Sequence, residues 1–161
     1  MTVSQHNDLP VIGWREWLSM PDLGITRIKA KIDTGARSSA LHAFDIEIFK
    51  QRGLDFVRFK VHPYQHNSTD TITAESELLD IRNVRNSGGH AQSRPVIQTT
   101  VTLGERQWPL ELTLTNRDVM GFRMLLGRQA VRQRFLIDSG RSYLQSSART
   151  HKLKGYRKKP S

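Results

Sequence analysis

The stretch KAKIDTGARSSALHA, residues 29–43, decides how this chain folds. Its first residues alternate between lysines and apolar side chains, a period of two that predicts a half-buried strand. The strand leads into Asp33-Thr34-Gly35, which is typical of a turn because aspartate bonds its own backbone and glycine readily adopts positive φ. The same pattern returns as Asp138-Ser139-Gly140. The sequence therefore offers two aspartates as candidates for a catalytic carboxylate.

Other alternating segments predict a chain built mainly of strands. They are Ile25–Ile32, Ala43–Phe49, Leu54–Val61, Thr71–Ile81, Pro95–Leu103 and Trp108–Thr115. The second and third of these are expected to form a hairpin around Gly53. Met124–Gly127 is an apolar strand that runs into a short helix, since Leu126, Ala130 and Val131 would share a helical face. The pattern predicts an all-β barrel or sandwich with one short helix after Gly127.

The length of 161 residues corresponds to one domain, and the net charge of +10 is unevenly distributed. Residues 149–161 contribute +6 of this charge and contain no acid. We expect a flexible N-terminus over residues 1–8, a folded domain over 9–146 and a basic disordered tail over 147–161. The absence of cysteine excludes disulfides, thiol catalysis and thiolate metal sites.

Neither a signal peptide nor an apolar membrane span is visible, so we expect a cytoplasmic protein that does not contact a membrane. The sequence contains no phosphate-binding glycine loop of the common types and no H-E-x-x-H motif. His62 and His66 have a spacing that suggests a metal pair, but on a strand they would lie roughly 13 Å apart. A solvated hairpin end explains them better, and we predict neither metal nor cofactor.

The segments Asp33-Thr34-Gly35-Ala36 and Leu125-Leu126-Gly127 together resemble the retropepsin-like aspartic proteases. With Val84–Gly89, Arg94–Gly104 and Leu114–Ala130, the chain resembles over roughly residues 9–146 the bacterial family usually named ATP-dependent zinc proteases, whose fold is retropepsin-like. The resemblance implies a single acid-protease β-barrel. Because no ATP or zinc motif accompanies it, a role for zinc rests on the family name alone.

The resemblance also implies an aspartic-type peptidase in which Asp33 supplies a carboxylate, Thr34 buttresses the loop and Gly35 allows close packing. Aspartic proteolysis needs two carboxylates that share one proton. Only 23 residues follow Asp138, too few for a second lobe, so we interpret Asp138 as a turn residue between two short strands. The second carboxylate is then expected from Asp33 of another copy in a two-fold homodimer.

A glycine-containing segment, Arg82–Arg94, is the counterpart of a retropepsin flap, although a solvated basic loop is the simpler alternative. The expected substrate-binding residues are Arg37, Arg82, Arg85, Asn86, Ser87, Gly88 and Arg94. Their guanidinium groups can bind carboxylates through forked hydrogen bonds. Family members are associated with enzymes that add glutamates to a ribosomal protein, so we expect an acidic, glutamate-rich protein or peptide as the substrate.

Two alternatives remain open. The chain could be a non-catalytic module that binds acidic peptides through the same arginines. It could also contact the ribosome or RNA through the basic tail, residues 149–161. We interpret Trp14, Trp17 and Trp108 as core or edge packing, which leaves the body without an aromatic and basic platform for RNA.

Overall fold

The computed structural model describes residues 8–64, 70–85, 88–117 and 121–146. Its strands are β1 Val11–Gly13, β2 Arg15–Met20, β3 Ile25–Asp33, β4 Ser39–His42, β5 Phe44–Gln51, β6 Leu54–Val61, β7 Ile72–Glu77, β8 Asp80–Arg85, β9 Ala91–Leu103, β10 Arg106–Thr115, β11 Met124–Gly127 and β12 Leu136–Asp138. A 3-10 turn spans Pro21–Leu23, and the α-helix α1 spans Arg128–Val131. The all-β prediction, with a short helix after Gly127, is confirmed.

Six strands close into a barrel in the order β10-β4-β11-β3-β2-β9, because β9 pairs back onto β10. Strand β8 extends from β9 outside this ring. The alternation of the strands places one face of each inside, where Ile28, Leu41, Leu112 and Leu126 are fully buried. The barrel thereby holds the ends of β3 and β11 side by side, and these ends form the candidate site.

The strands β5, β6 and β7 form a separate antiparallel sheet, which confirms the predicted hairpin. The single strand predicted over Thr71–Ile81 is wrong, because the chain changes sheet at Leu78 and Leu79. The Leu78 N–H donates to the Asp55 carbonyl at 2.8 Å, and the Leu79 N–H donates to the Val96 carbonyl at 2.8 Å. The first half therefore stays with β6 as β7, and the second half joins the barrel as β8.

The segment after β12 follows the barrel without forming the second strand that was predicted there. Its backbone is bonded instead by Glu16, a carboxylate that is 0% exposed. Glu16 accepts hydrogen bonds from the N–H groups of Leu144, Gln145 and Ser146 at 2.8, 3.2 and 3.1 Å. Because a carboxylate inside the fold takes these donors, the segment needs no partner strand.

No helix among the described residues is long and apolar enough to cross a membrane.

Candidate functional site at the Asp33 loop

The candidate site is the turn that follows β3. Asp33 is half-exposed, and its Oδ1 accepts a hydrogen bond from the Gly35 N–H at 3.0 Å. The Ala36 N–H donates to the Asp33 carbonyl at 3.2 Å and completes the turn. The positive φ expected for Gly35 is wrong. This position favours glycine for space, since a Cβ there would lie 3.2 Å from Oδ1.

Helix α1 fixes the loop from one side. The Arg128 N–H donates to the Ala36 carbonyl at 2.7 Å, and the Gln129 N–H donates to the Arg37 carbonyl at 3.1 Å. The Arg128 guanidinium also donates to the Thr34 carbonyl at 3.0 Å. Thr34 thus receives its support through its carbonyl, while its side chain is exposed. These bonds place two exposed arginines, Arg37 and Arg128, on the rim of the loop.

The second triad repeats this turn. The Asp138 Oδ1 accepts from the Gly140 N–H at 3.0 Å, and the Arg141 N–H donates to the Asp138 carbonyl at 3.3 Å. The Trp14 N–H donates to the Arg141 carbonyl at 2.8 Å, as Arg128 does to Ala36 in the first turn. Asp138 is therefore a turn residue, as predicted, but β12 ends at it and only one strand adjoins the turn.

The predicted flap residues differ in how their charges are used. Arg82 is paired with Asp80 at 3.1 Å and with Glu111 at 3.0 Å. Hydrogen bonds from Asp80 first, and then from Glu111, raise the pKa of Arg82. Arg85 is exposed and donates to the Gly89 carbonyl at 3.1 Å. The charge of Arg82 is thus already compensated within the fold, whereas that of Arg85 faces solvent at the hairpin end.

Arg94 is part-buried near the start of β9, where it donates to the Gln92 Oε1 at 3.1 Å. Burial and the nearby charge of Arg117 lower the pKa of Arg94. Gln92 in turn donates to the Asn116 Oδ1 at 3.2 Å, which ties β9 to the end of β10. Gly88 is exposed, and Asn86 and Ser87 lie outside the described residues.

Sequence reasoning missed a second polar group at the ends of β4 and β11. Arg123 Nη1 lies 3.4 Å from the His42 Nδ1, and the other ring nitrogen lies 3.2 Å from the Asn116 carbonyl oxygen. An arginine donates only, so Nδ1 accepts and Nε2 carries the proton that is donated to Asn116. No local pattern reveals this group, because its members come from three different strands and loops.

The described residues do not fit the zinc that the family name implies. No three histidine, cysteine, aspartate or glutamate side chains in this part of the chain come together as a metal site. His62 lies against the Asp70 carbonyl at 3.2 Å and the Thr71 hydroxyl at 3.3 Å, and His66 lies outside the described residues. The prediction that no cofactor is needed stays a prediction, and we assign no step to a metal.

Curated relatives of the chain carry the name "Probable alpha-L-glutamate ligase". Those from Parasynechococcus marenigrum, Shewanella pealeana and Desulfotalea psychrophila are 46%, 44% and 43% identical over 89%, 83% and 84% of this chain. The matches cover 31%, 29% and 29% of those proteins, so the chain spans about a third of their length. A solved structure of a Legionella pneumophila protein of unknown function matches with a TM-score of 0.68, at 27% identity, over 85% of this chain and 98% of that one.

The relatives overturn the predicted activity. A ligase forms bonds, so the predicted aspartic-type peptidase, with its assignment as a hydrolase or protease, is wrong. The β-barrel part of that prediction is confirmed. The roles of Asp33 and the arginines, the homodimer and the acidic partner stay predictions.

A family model named RimB-like and described as "Retropepsin-like aspartic endopeptidase RimB" matches residues 11–148. The match agrees with the barrel, the turn at Asp33 and the strand that ends at Gly127, all of which the resemblance implied. Its description names a fold of peptidase type, and the fold is what the match shows. The chain belongs to the RimB-like family of retropepsin-like domains.

Proposed function

We propose that this domain recognises the glutamate-bearing chain on which an α-L-glutamate ligase acts. The names of the curated relatives support this connection, at 43–46% identity over most of the domain. The domain would serve as the recognition part of such a system and not as its ligating centre. Its short match to the relatives, about a third of their length, supports this division of labour.

The observation that carries the proposal is the pair of arginines on the rim of the Asp33 loop. Arg37 and Arg128 are both exposed, and their backbones are joined to the same turn by α1. Arg128 uses one N–H on the Thr34 carbonyl, and a guanidinium has four more to donate. Two guanidinium groups held at one loop suit the closely spaced carboxylates of consecutive glutamates.

Asp33 would contribute to recognition as a hydrogen-bond acceptor. Its Oδ1 is oriented by the Gly35 N–H, and its half-exposed carboxylate can accept an amide N–H from the bound chain. In this arrangement the arginines bind the glutamate side chains, while Asp33 contacts the backbone between them. No bond is made or broken by these residues.

The test compares two fluorescent peptides that end in four glutamates or in four glutamines, with binding followed by anisotropy at low salt. We expect the glutamate peptide to bind better, and the double variant Arg37→Gln, Arg128→Gln to lose about tenfold or more in affinity for it. The control variant Lys50→Gln, Arg52→Gln removes the same charge from the β5–β6 hairpin and should stay within about twofold. Equal binding of both peptides, or an equal loss in both double variants, would refute the proposal.

A further inference from the structure

The outer face of the barrel strands β2 and β3 carries a row of cations beside aromatic rings. Arg15 and Trp17 on β2 pair with Lys31 and Lys29 on β3, and all four are half-buried. Arg15 and Lys31 are therefore like charges placed directly opposite each other, an arrangement that destabilises an isolated sheet. A surface that keeps this arrangement is suited to an anionic partner.

The rings and guanidinium groups of this face form one continuous stack. The Arg27 guanidinium lies 4.0 Å from the ring centre of Trp17, and Trp17 stacks on Tyr143 with 6.4 Å between ring centres and planes 20° apart. The Arg15 guanidinium lies 5.0 Å from Tyr143 and 4.7 Å from Trp14. We call Arg27, Trp17, Tyr143, Arg15 and Trp14 the stacked face.

Lys29 and Phe122 extend the stacked face. The Lys29 ammonium lies 5.8 Å from the Trp17 ring and 5.5 Å from the Phe122 ring, and Phe122 meets Trp14 edge-on at 5.9 Å. Burial, and then the neighbouring Arg15, lower the pKa of Lys29. The prediction that the body lacks an aromatic and basic platform is therefore wrong.

The chain leaves the described fold next to the stacked face. The Trp17 N–H donates to the Ser146 hydroxyl at 2.6 Å, and residue 146 is the last that the structure describes. In the sequence beyond it, residues 149–161 carry six lysines and arginines and no acid. The most basic segment of the chain is thus attached at the edge of the most basic face of the barrel's β2–β3 pair.

We propose that the stacked face binds single-stranded RNA. Arg15, Lys29 and Lys31 pair with phosphates, and unstacked bases continue the stack on the outer sides of the rings and guanidinium planes. The rings favour RNA over an acidic peptide, because carboxylates need cations alone whereas every base presents a π-face. This surface uses other residues than the Asp33 loop, so it goes beyond the proposed function.

The test uses the full chain and a fluorescein-labelled 12-nucleotide uridine RNA. We expect the double variant Arg27→Gln, Lys29→Gln to bind about tenfold more weakly than the native chain. Lys50→Gln, Arg52→Gln removes the same charge from the β5–β6 hairpin and should change the affinity by less than about threefold. Equal weakening in the two variants would show binding by net charge alone and would overturn the proposal.

A second variant separates stacking from charge. Trp17→Leu keeps every charge but removes the central ring, and we expect it to weaken RNA binding by about fivefold or more. Urea unfolding of each variant establishes that it is folded at the temperature of the binding assay. Unchanged RNA affinity in folded Trp17→Leu would overturn the proposal. So would a 12-residue glutamate peptide that displaces the RNA as well as unlabelled RNA does, because the face would then be a site for acidic chains.

Discussion

Gly127 lies directly opposite Asp33 in the parallel pairing of β3 and β11. Gly13 lies opposite Asp138 in the parallel pairing of β1 and β12. Each glycine is followed by a residue whose N–H donates to the turn after the opposite aspartate. The two Asp-x-Gly turns are therefore held by the same device, and what distinguishes Asp33 is the arginine rim that α1 places beside it.

Gly127→Ala should strongly destabilise the fold. A Cβ at position 127 would overlap the carbonyl group of Ser38, and backbone atoms cannot move aside as a flexible side chain can. We expect a loss of about 3 kcal/mol or more in the free energy of unfolding, measured by urea denaturation.

Gly140→Ala is the matched control for this change. A Cβ there would lie 3.6 Å from the Asp138 Oδ1, an ordinary contact, and the φ of Gly140 is not positive. We expect a change within about 1 kcal/mol, in either direction. An equal loss in both variants would show that Ser38 does not restrict position 127.

The turn at Asp33 and the strand before Gly127 could be predicted from the sequence because their signals are local. Alternating strands, a D-T-G turn and an apolar strand entering a helix each occupy a few consecutive residues. The stacked face and the bonds of Glu16 could not be predicted this way, since Tyr143 and Ser146 reach β2 only after the barrel has closed. The strand predicted over Thr71–Ile81 failed for a related reason: its alternation continues across a change of sheet.

Glu16→Gln should loosen the segment after β12. The Glu16 carboxylate accepts five hydrogen bonds, from the Gly13, Leu144, Gln145 and Ser146 N–H groups and from the Ser146 hydroxyl. Glutamine has nearly the same size but offers one oxygen and turns an NH₂ group toward donors. We expect a loss of about 2–4 kcal/mol in unfolding free energy and faster hydrogen exchange at residues 144–146.

Glu105→Gln, at the exposed turn between β9 and β10, is the control for Glu16 and should change the unfolding free energy by less than about 0.5 kcal/mol. If Glu16→Gln left both the stability and the exchange at residues 144–146 unchanged, the carboxylate would not hold this segment.

Lys29→Met should change the pH dependence of stability. Burial and Arg15 lower the pKa of Lys29 below 10.5, so the charged form is less favourable in the folded chain than in the unfolded one. This penalty is fully present below the lowered pKa and disappears as the pH rises toward 10.5. The variant should therefore be more stable than the native chain at pH 7, and the difference should shrink by pH 10, as followed by urea midpoints. Lys50→Met removes an exposed lysine as the control, and a difference that stays constant for Lys29→Met would contradict the expectation.

Arg82 and Arg37 should differ in their effect on binding of a glutamate peptide, although both were predicted as binding residues. Arg82 is held by Asp80 and Glu111, so a second acidic partner would have to displace carboxylates that are already bound. Arg37 is exposed beside the Asp33 loop, where its guanidinium can meet a carboxylate of the peptide. We expect Arg37→Gln to reduce the affinity by about fivefold and Arg82→Gln by less than twofold, measured by anisotropy with the four-glutamate peptide. A larger effect at Arg82 would move the recognition surface from the loop to β8.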